Sequence, residues 1–349
     1  MFHLPSAYTV ESVTAGHPDK VCDQISDAIL DACLAQDPMS RVAAECFGGH
    51  GLLVIGGEVT SKADIDPEAI ARGVYRDIGY DDSDLRVQSN LVRQSPDIAV
   101  GVDTGGAGDQ GIMYGFACDE TPELLPTALV HAHRLARELE TLRKTEPAFA
   151  WLRPDGKTQV TMHDGFVSDV LVSTQHDAAV SQDYIINALA PLLLPFQPNG
   201  GRPIAFHVNP TGIFVQGGFG ADTGLTGRKI MVDTYGGLAP HGGGAFSGKD
   251  ATKVDRSAAY LARLAAKWLV AHGHAKRALV SVAYAIGRAE PLMVEAIDQD
   301  GHSLAELVKG EFDFRPLAII ERLELRRPIF RQTASYGHFG KPGLSWEVV

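Results

Sequence analysis

Apolar residues recur at three- and four-residue intervals over Val21, Ile25, Ala28, Ile29 and Ala32, the spacing that lines one face of an α-helix. Pro18 suits the first helical position and Asp37-Pro38 stops the pattern, so a helix is predicted from Pro18 to about Gln36. A second stripe, Leu261, Leu264, Trp268 and Leu269, predicts a helix from Val254 to about His272, closed by Gly273. A third is expected over Leu124–Arg143. Short runs read as strands: Leu52–Ile55, Val167–Ser173, Ile204–Val208, Ile230–Asp233 and Leu279–Tyr284. Short strands alternating with longer helices place the chain in the mixed α/β (α+β) class. Val102-Asp103-Thr104-Gly105-Gly106 precedes the glycine-rich Ala107–Gly111. Val232-Asp233-Thr234-Tyr235-Gly236-Gly237 stands likewise before Gly242–Gly248. The echo is either chance or the mark of a duplicated β/α unit.

The chain of 349 residues has room for two or three domains with cores of their own. Its 45% hydrophobic and 21% charged content is ordinary for a soluble globular protein. A net charge of −12 argues against a nucleic-acid or anionic-membrane partner, since either needs a broad basic face. Cations are instead gathered locally at Arg228, Lys229, Lys249, Lys253 and Arg256. Cys22, Cys33, Cys46 and Cys118 form no C-x-x-C pair and no ligand spacing with histidine, which suits reduced thiols and no structural zinc. Met1–Pro5 carries no basic segment with an apolar run behind it, and Leu192–Leu194 is far too short for a bilayer. A soluble, cytoplasmic protein is expected.

The richest segment is Gly242-Gly243-Gly244-Ala245-Phe246-Ser247-Gly248-Lys249-Asp250, followed by Lys253 and Asp255. Glycines let backbone N–H groups approach an anion, a lysine adds a point charge, and carboxylates hold a divalent cation among phosphate oxygens. Gly243-x4-Gly248-Lys249 meets most of the Walker A pattern, but Asp250 stands where Ser or Thr would bind Mg²⁺. Other candidates each carry a plainer reading. His17 and Asp19 sit at a helix entrance that favours anions, or are a loop histidine and the start of a solvated stripe Asp19, Asp23, Asp27, Asp31. Asp255 is a metal ligand or, with Thr252, part of a capping box. Gly106–Gly111, with Asp109, is a gate over a ligand or only a turn; Gly56-Gly57-Glu58 reads as a sheet-end turn with one carboxylate. Arg228 and Lys229 adjoin the predicted strand Ile230–Asp233, where neighbours point to opposite faces, so both reach one phosphate chain only if the backbone turns.

Taken together, Gly16-His17-Pro18-Asp19-Lys20, Gly106–Gly111 (GAGDQG), Gly227-Arg228-Lys229, Gly242–Asp250 (GGGAFSGKD) and Lys253-Val254-Asp255-Arg256-Ser257 resemble the S-adenosylmethionine synthetase (methionine adenosyltransferase) family. The likeness continues through Arg93–Ile98, Trp151–Asp155, Ser173–His176, Asn209–Gly212 and Tyr336–Gly340, and so covers essentially the whole chain. It implies three similar sheet-and-helix domains about a pseudo-threefold axis. In sequence order these would be residues 1–100, 104–217 and 218–349, which the fold is free to interleave. It also implies a homodimer with active sites between subunits, often paired into a homotetramer.

The implied reaction joins ATP and L-methionine: sulfur displaces the triphosphate from the 5′ carbon, and the triphosphate is then cut to pyrophosphate and phosphate. A thioether has no proton to lose, so fixed cations for the leaving group are the main requirement. By resemblance, His17 contacts the triphosphate near the breaking bond, while Lys157, Arg228, Lys229, Lys249 and the Ala245 backbone grip the phosphates. Asp19 and Asp255 would hold a pair of Mg²⁺ ions and Glu45 a K⁺. Adenosine would lie against Ile213-Phe214 near Asp155. Methionine would be fixed by Glu58, Gln94, Asp222 and Lys253, with Asp109 on the same side. The chain departs from the family at the Gln94–Gly106 lid, which is several residues short, at the trimmed Asp82–Leu91, and at the C-terminal tail, nearly absent after Trp346. Arg93 and Pro240 also replace usual basic residues, and these departures are expected to alter lid closure more than substrate identity. A P-loop NTPase or kinase and a non-catalytic binding relative are the rival readings.

Overall fold

Helix formation begins where the sequence supplies both a cap and a stripe. In the computed structural model, which describes residues 5–93, 105–197 and 199–349, the helix predicted from Pro18 spans Pro18–Gln36. His17 is its N-cap, accepting a hydrogen bond from the Asp19 N–H, and Pro18 occupies the first turn. Gln94 and Val102–Thr104, hence much of the lid and half of the internal echo, lie outside the described residues.

From the N-terminus the chain runs β1 (Ala7–Val13), α1 (Pro18–Gln36), β2 (Arg41–Gly49), β3 (Leu52–Thr60), α2 (Pro67–Ile78), β4 (Arg86–Val92), β5 (Gly111–Cys118) and α3 (Thr127–Thr145). It continues through β6 (Leu152–His163), β7 (Phe166–His176), α4 (Gln182–Leu189), β8 (Ala205–Val208), β9 (Gly224–Leu225) and α5 (Ile230–Asp233). The last elements are α6 (Val254–Ala271), β10 (Arg277–Tyr284), β11 (Met293–Asp298), α7 (Ala305–Glu311) and α8 (Pro316–Arg322).

These strands form three sheets, in the orders β4-β3-β2-β9, β1-β6-β7-β8 and β11-β10-β5, so the chain is α/β as its pattern predicts. Each sheet takes one strand from a different third of the chain. β9 pairs with β2 at Leu225/Phe47 and Gly224/Gly48; β1 pairs with β6; β5 pairs with β10. The exchange is cyclic, as an approximate threefold relation requires. One long helix covers each sheet: α1 lies on β2, α3 on β6 and β1, and α6 on β5 and β10. Val21, Ile25 and Ile29 of α1 join Val42, Leu53 and Ile55 in a core that also holds Phe116, Leu261, Leu269 and Val280. Each such residue taken fully out of water contributes about 1.5–3 kcal/mol.

Four expectations are corrected. Ile230–Asp233 is a helical turn, not a strand. The helix expected from Leu124 begins at Thr127, because Leu124 has φ 56° and Pro126 is the cap. Gly56-Gly57-Glu58 lies inside β3, paired with β2 on one side and β4 on the other, not at a sheet end. Asp19, Asp23 and Asp27 are buried rather than solvated, with Asp31 half-buried. All four cysteines are free and buried, and among the described residues no helix is long and apolar enough to cross a membrane.

Candidate active site

The entrance of α1 is built before any ligand arrives. Gly16 is tied by its carbonyl to the Tyr80 hydroxyl at 2.7 Å, and His17 then turns the chain into the helix. Asp19, in the first turn, receives the Leu225 N–H of β9 on Oδ1 at 2.9 Å and the Lys229 ammonium on Oδ2 at 2.6 Å. Arg228 Nε also reaches Asp19, at 3.8 Å. The backbone turns at Thr226-Gly227 and Lys229 caps a helical turn instead of entering a strand, so strand alternation does not separate the two cations.

Electrostatics follow from burial and these cations. His17 is 3% exposed; burial first, then the charges of Lys229 and Lys157, push its pKa down to about 3, so the imidazole is neutral. Asp19 is pushed up by burial, but the Lys229 hydrogen bond and the Leu225 N–H outweigh this and hold it below the usual carboxylate range. Lys157 stands exposed on β6 opposite Val13 and Ser173. Asp155, two residues before it, is raised to about 6, chiefly by burial, with the Gly218 N–H opposing. Asp155 Oδ2 takes that N–H at 2.8 Å, whereas its buried Oδ1 has no partner among the described residues.

The segment expected to meet the nucleoside leans on this carboxylate. Gln175 accepts the Asp155 N–H and donates to the Val215 carbonyl at 3.0 Å. His176 and Phe214 exchange hydrogen bonds: the Phe214 N–H donates to Nε2 at 3.1 Å, and the His176 N–H donates to the Phe214 carbonyl at 2.9 Å. Phe214 is half-buried and Ile213 is 74% exposed, an apolar edge left open. Asp222, exposed nearby, accepts the Thr223 N–H and adds to the rise at Asp155. Gln175, His176 and Asn209, which clamps Thr174 from both sides, were legible only as parts of motifs, without roles.

The glycine loop forms a second group. Lys249 is bridged to Ala43 of β2, and Ala43 faces Glu58 of β3, so the exposed Glu58 lies two backbones from Lys249. Lys249 Nζ contacts Asp255 Oδ2 at 2.5 Å. The capping-box reading of Asp255 fails: Lys253 is the N-cap of α6 without a side-chain cap bond, and Thr252 donates to Asp250 instead. Lys253 is bound to Asp250, as Lys229 is to Asp19 and Lys249 to Asp255, and Arg256 is fully buried against Asp27. Asp109 is exposed, with Oδ1 accepting its neighbour Gln110's N–H, and Glu45 is exposed on β2. The two groups meet where Gly227 packs against Ala245: a Cβ built on that glycine would stand 2.4 Å from the alanine Cβ.

No strand leads into Gly242–Gly248, and α6 begins only at Val254, so the strand–loop–helix context of a P-loop is missing. A buried neutral histidine, lysines resting on carboxylates and a glycine-rich loop thus stand together at the entrance of α1 and beside β2. Models of the N-terminal, central and C-terminal domains of S-adenosylmethionine synthetase match residues 6–99, 104–214 and 216–348. S-adenosylmethionine synthase 1 of Rhodopseudomonas palustris (strain BisB18) is 51% identical over 367 residues, covering 97% of this chain and 95% of that protein. The synthase of Salinibacter ruber is also 51% identical, over 97% of this chain and 95% of its own, and that of Sorangium cellulosum 49%, over 97% and 87%. The chain belongs to the S-adenosylmethionine synthetase family, a family of transferases.

Proposed function

We propose that this protein makes S-adenosylmethionine from ATP and L-methionine. The methionine sulfur forms a bond to the 5′ carbon of ATP as the bond from that carbon to the triphosphate oxygen breaks. Water then divides the triphosphate into pyrophosphate and phosphate. The observation that carries this reading is the neutral His17 at the α1 entrance beside Lys157, Arg228 and Lys229. A neutral imidazole can donate a hydrogen bond to the departing oxygen without charge repulsion from the surrounding lysines, and helix-end amides add to the field. Removing one such donor or cation typically costs 10²–10³ in rate, about 2.7–4 kcal/mol.

Lys157, Arg228, Lys229, Lys249 and the Ala245 N–H would hold the phosphates. Ile213, Phe214 and the unpartnered Asp155 Oδ1 would receive the adenosine. Glu58, Gln94, Asp109, Asp222 and Lys253 would fix methionine. For the pair of Mg²⁺ ions the residues fit: Asp19 and Asp255 are hard oxygen donors, each touching a lysine and, among the described residues, in no cluster of three metal-capable side chains. That suits a cation which takes one or two carboxylates and draws its other ligands from phosphate and water. Mg²⁺ there supplies charge neutralisation for the triphosphate. For K⁺ we assign Glu45, exposed on β2. We assign the chain to the cytoplasm, with residues 1–100, 104–217 and 218–349 as interleaved domains in a homodimer or homotetramer. The open faces of Ile213, Lys157 and Glu58 support closure by a partner subunit.

Incubating the purified protein with ATP, Mg²⁺, K⁺ and methionine should yield S-adenosylmethionine, pyrophosphate and phosphate in equal amounts by mass spectrometry and ion chromatography. ADP or AMP released without methionine would instead support an NTPase and sink the proposal.

A further inference from the structure

Asp19, Asp23, Asp27 and Asp31 stand at successive four-residue steps on α1, and each accepts backbone N–H groups from a segment about two hundred or more residues away. Asp19 takes Leu225 at 2.9 Å, Asp23 takes Gly227 at 2.8 Å, Asp27 takes Gly248 at 2.8 Å, and Asp31 takes Phe330 and Arg331 at 2.9 and 2.8 Å. The middle pair is distinctive. Gly227 and Gly248 have φ of 78° and 81°, and each immediately precedes cations assigned above to the triphosphate: Arg228-Lys229 and Lys249. Neither position accepts another residue. A Cβ on Gly227 would meet Ala245, and one on Gly248 would lie 1.9 Å from the Ala44 carbonyl oxygen.

We propose that Asp23 and Asp27 are positioning residues for the triphosphate grip. Each holds one glycine hinge by its N–H, so that the cation after the hinge is aimed before the nucleotide binds. Both carboxylates also have a buried cation to satisfy. Lys20 Nζ lies 2.9 Å from Asp23 Oδ2, and Arg256 donates to both oxygens of Asp27, at 2.7 and 2.9 Å. Charge neutralisation alone would leave the hinges idle; the geometry gives each aspartate two tasks. Asp23 Oδ1 serves Gly227 while Oδ2 serves Lys20. In Asp23→Asn one acceptor oxygen remains for two donors; the buried ammonium of Lys20 draws it more strongly than the neutral Gly227 N–H does, the amide NH2 then faces the hinge, and the hinge loses its anchor while Lys20 keeps Asp233 as its charged partner.

This inference rests on the functional reading above, and its test separates the two. Tripolyphosphate is titrated calorimetrically into the Mg²⁺-loaded protein, its Lys229→Met and Lys249→Met variants, and Asp23→Asn alone and combined with each. Asp23→Asn is expected to weaken tripolyphosphate about tenfold, the scale of one charge-assisted hydrogen bond. Combined with Lys229→Met it should add little to the loss from Lys229→Met alone, because both act on one limb. Combined with Lys249→Met the losses should multiply. Multiplication with both lysine variants would overturn the inference, since a diffuse structural defect couples to neither limb. So would an unchanged affinity in Asp23→Asn. Asp23→Ser, too short to reach Gly227, provides a second variant with the same expected pattern. If the parent protein fails to bind tripolyphosphate, or if both lysine variants bind it at full strength, the functional reading itself falls and the inference with it.

Discussion

A histidine that caps a helix among three cations has little choice of protonation state. His17 accepts the Asp19 N–H on Nδ1 at 3.2 Å, and any proton added to the ring would sit in a buried pocket facing Lys157 and Lys229. Its folded pKa, about 3, lies below the 6.5 of an unperturbed histidine. Below pH 6.5 the unfolded chain therefore gains a proton that the folded chain refuses. The stability owed to this residue is whole above pH 6.5 and is lost as pH falls toward 3. His17→Asn keeps a cap acceptor but removes the titration. Urea unfolding of the variant should show a shallower decline between pH 6.5 and 5, by up to about 1.4 kcal/mol per pH unit. Parallel declines in parent and variant would contradict a neutral buried imidazole. The motif around His17 was visible in the sequence, but its protonation state was not, because Lys157 and Lys229 approach it from β6 and from the turn after β9.

Between elements, one buried tie runs from α1 to α6. Arg256 is fully buried, gives two hydrogen bonds to Asp27 and stacks over Phe330 with its guanidinium carbon 4.2 Å from the ring centre. Removing one partner from such a pair leaves a buried charge uncompensated and costs about 3–5 kcal/mol. Arg256→Met is expected to lose that much in equilibrium denaturation, and a loss below about 1 kcal/mol would mean that solvent or another cation reaches Asp27. Helix α1 was readable end to end because cap, proline and apolar stripe agree. Its acidic side was not, since a stripe of aspartates every fourth residue reads as solvent-facing until the distant loops that cover it are known. Ile230–Asp233 misled for a related reason: four residues, two of them the β-branched Ile230 and Val232, carry no period of their own, and they form a helical turn with Lys229 as N-cap and Asp233 paired to Lys20.

At the level of the whole molecule, the cyclic strand exchange makes the three sheets depend on one another. Loss of β1 exposes the edge of β6, loss of β5 exposes β10, and loss of β9 uncovers β2. Unfolding is expected to be a single cooperative event. Trp151 reports on the central sheet and Trp268 and Trp346 on the C-terminal one, so their fluorescence and far-UV circular dichroism should share one urea midpoint. Two separated transitions would show that the segments fold independently. The alignment with the Rhodopseudomonas relative is longer, at 367 positions, than this 349-residue chain, so the relative carries stretches absent here.

The α/β class, the long helices and the family were legible in the order of residues alone. Each depends on local period, capping or a contiguous motif, and neighbours along the chain are enough to express these. It takes the folded chain to show that Asp23 and Asp27 are buried acceptors of distant N–H groups, that Arg256 is buried against Asp27, that Lys229 and Lys249 rest on Asp19 and Asp255, and that strands change places among sheets. Burial and pairing depend on segments brought together from distant parts of the chain, as Gly227 is to Asp23 and Arg256 to Asp27, and no local pattern records which segment will cover which face.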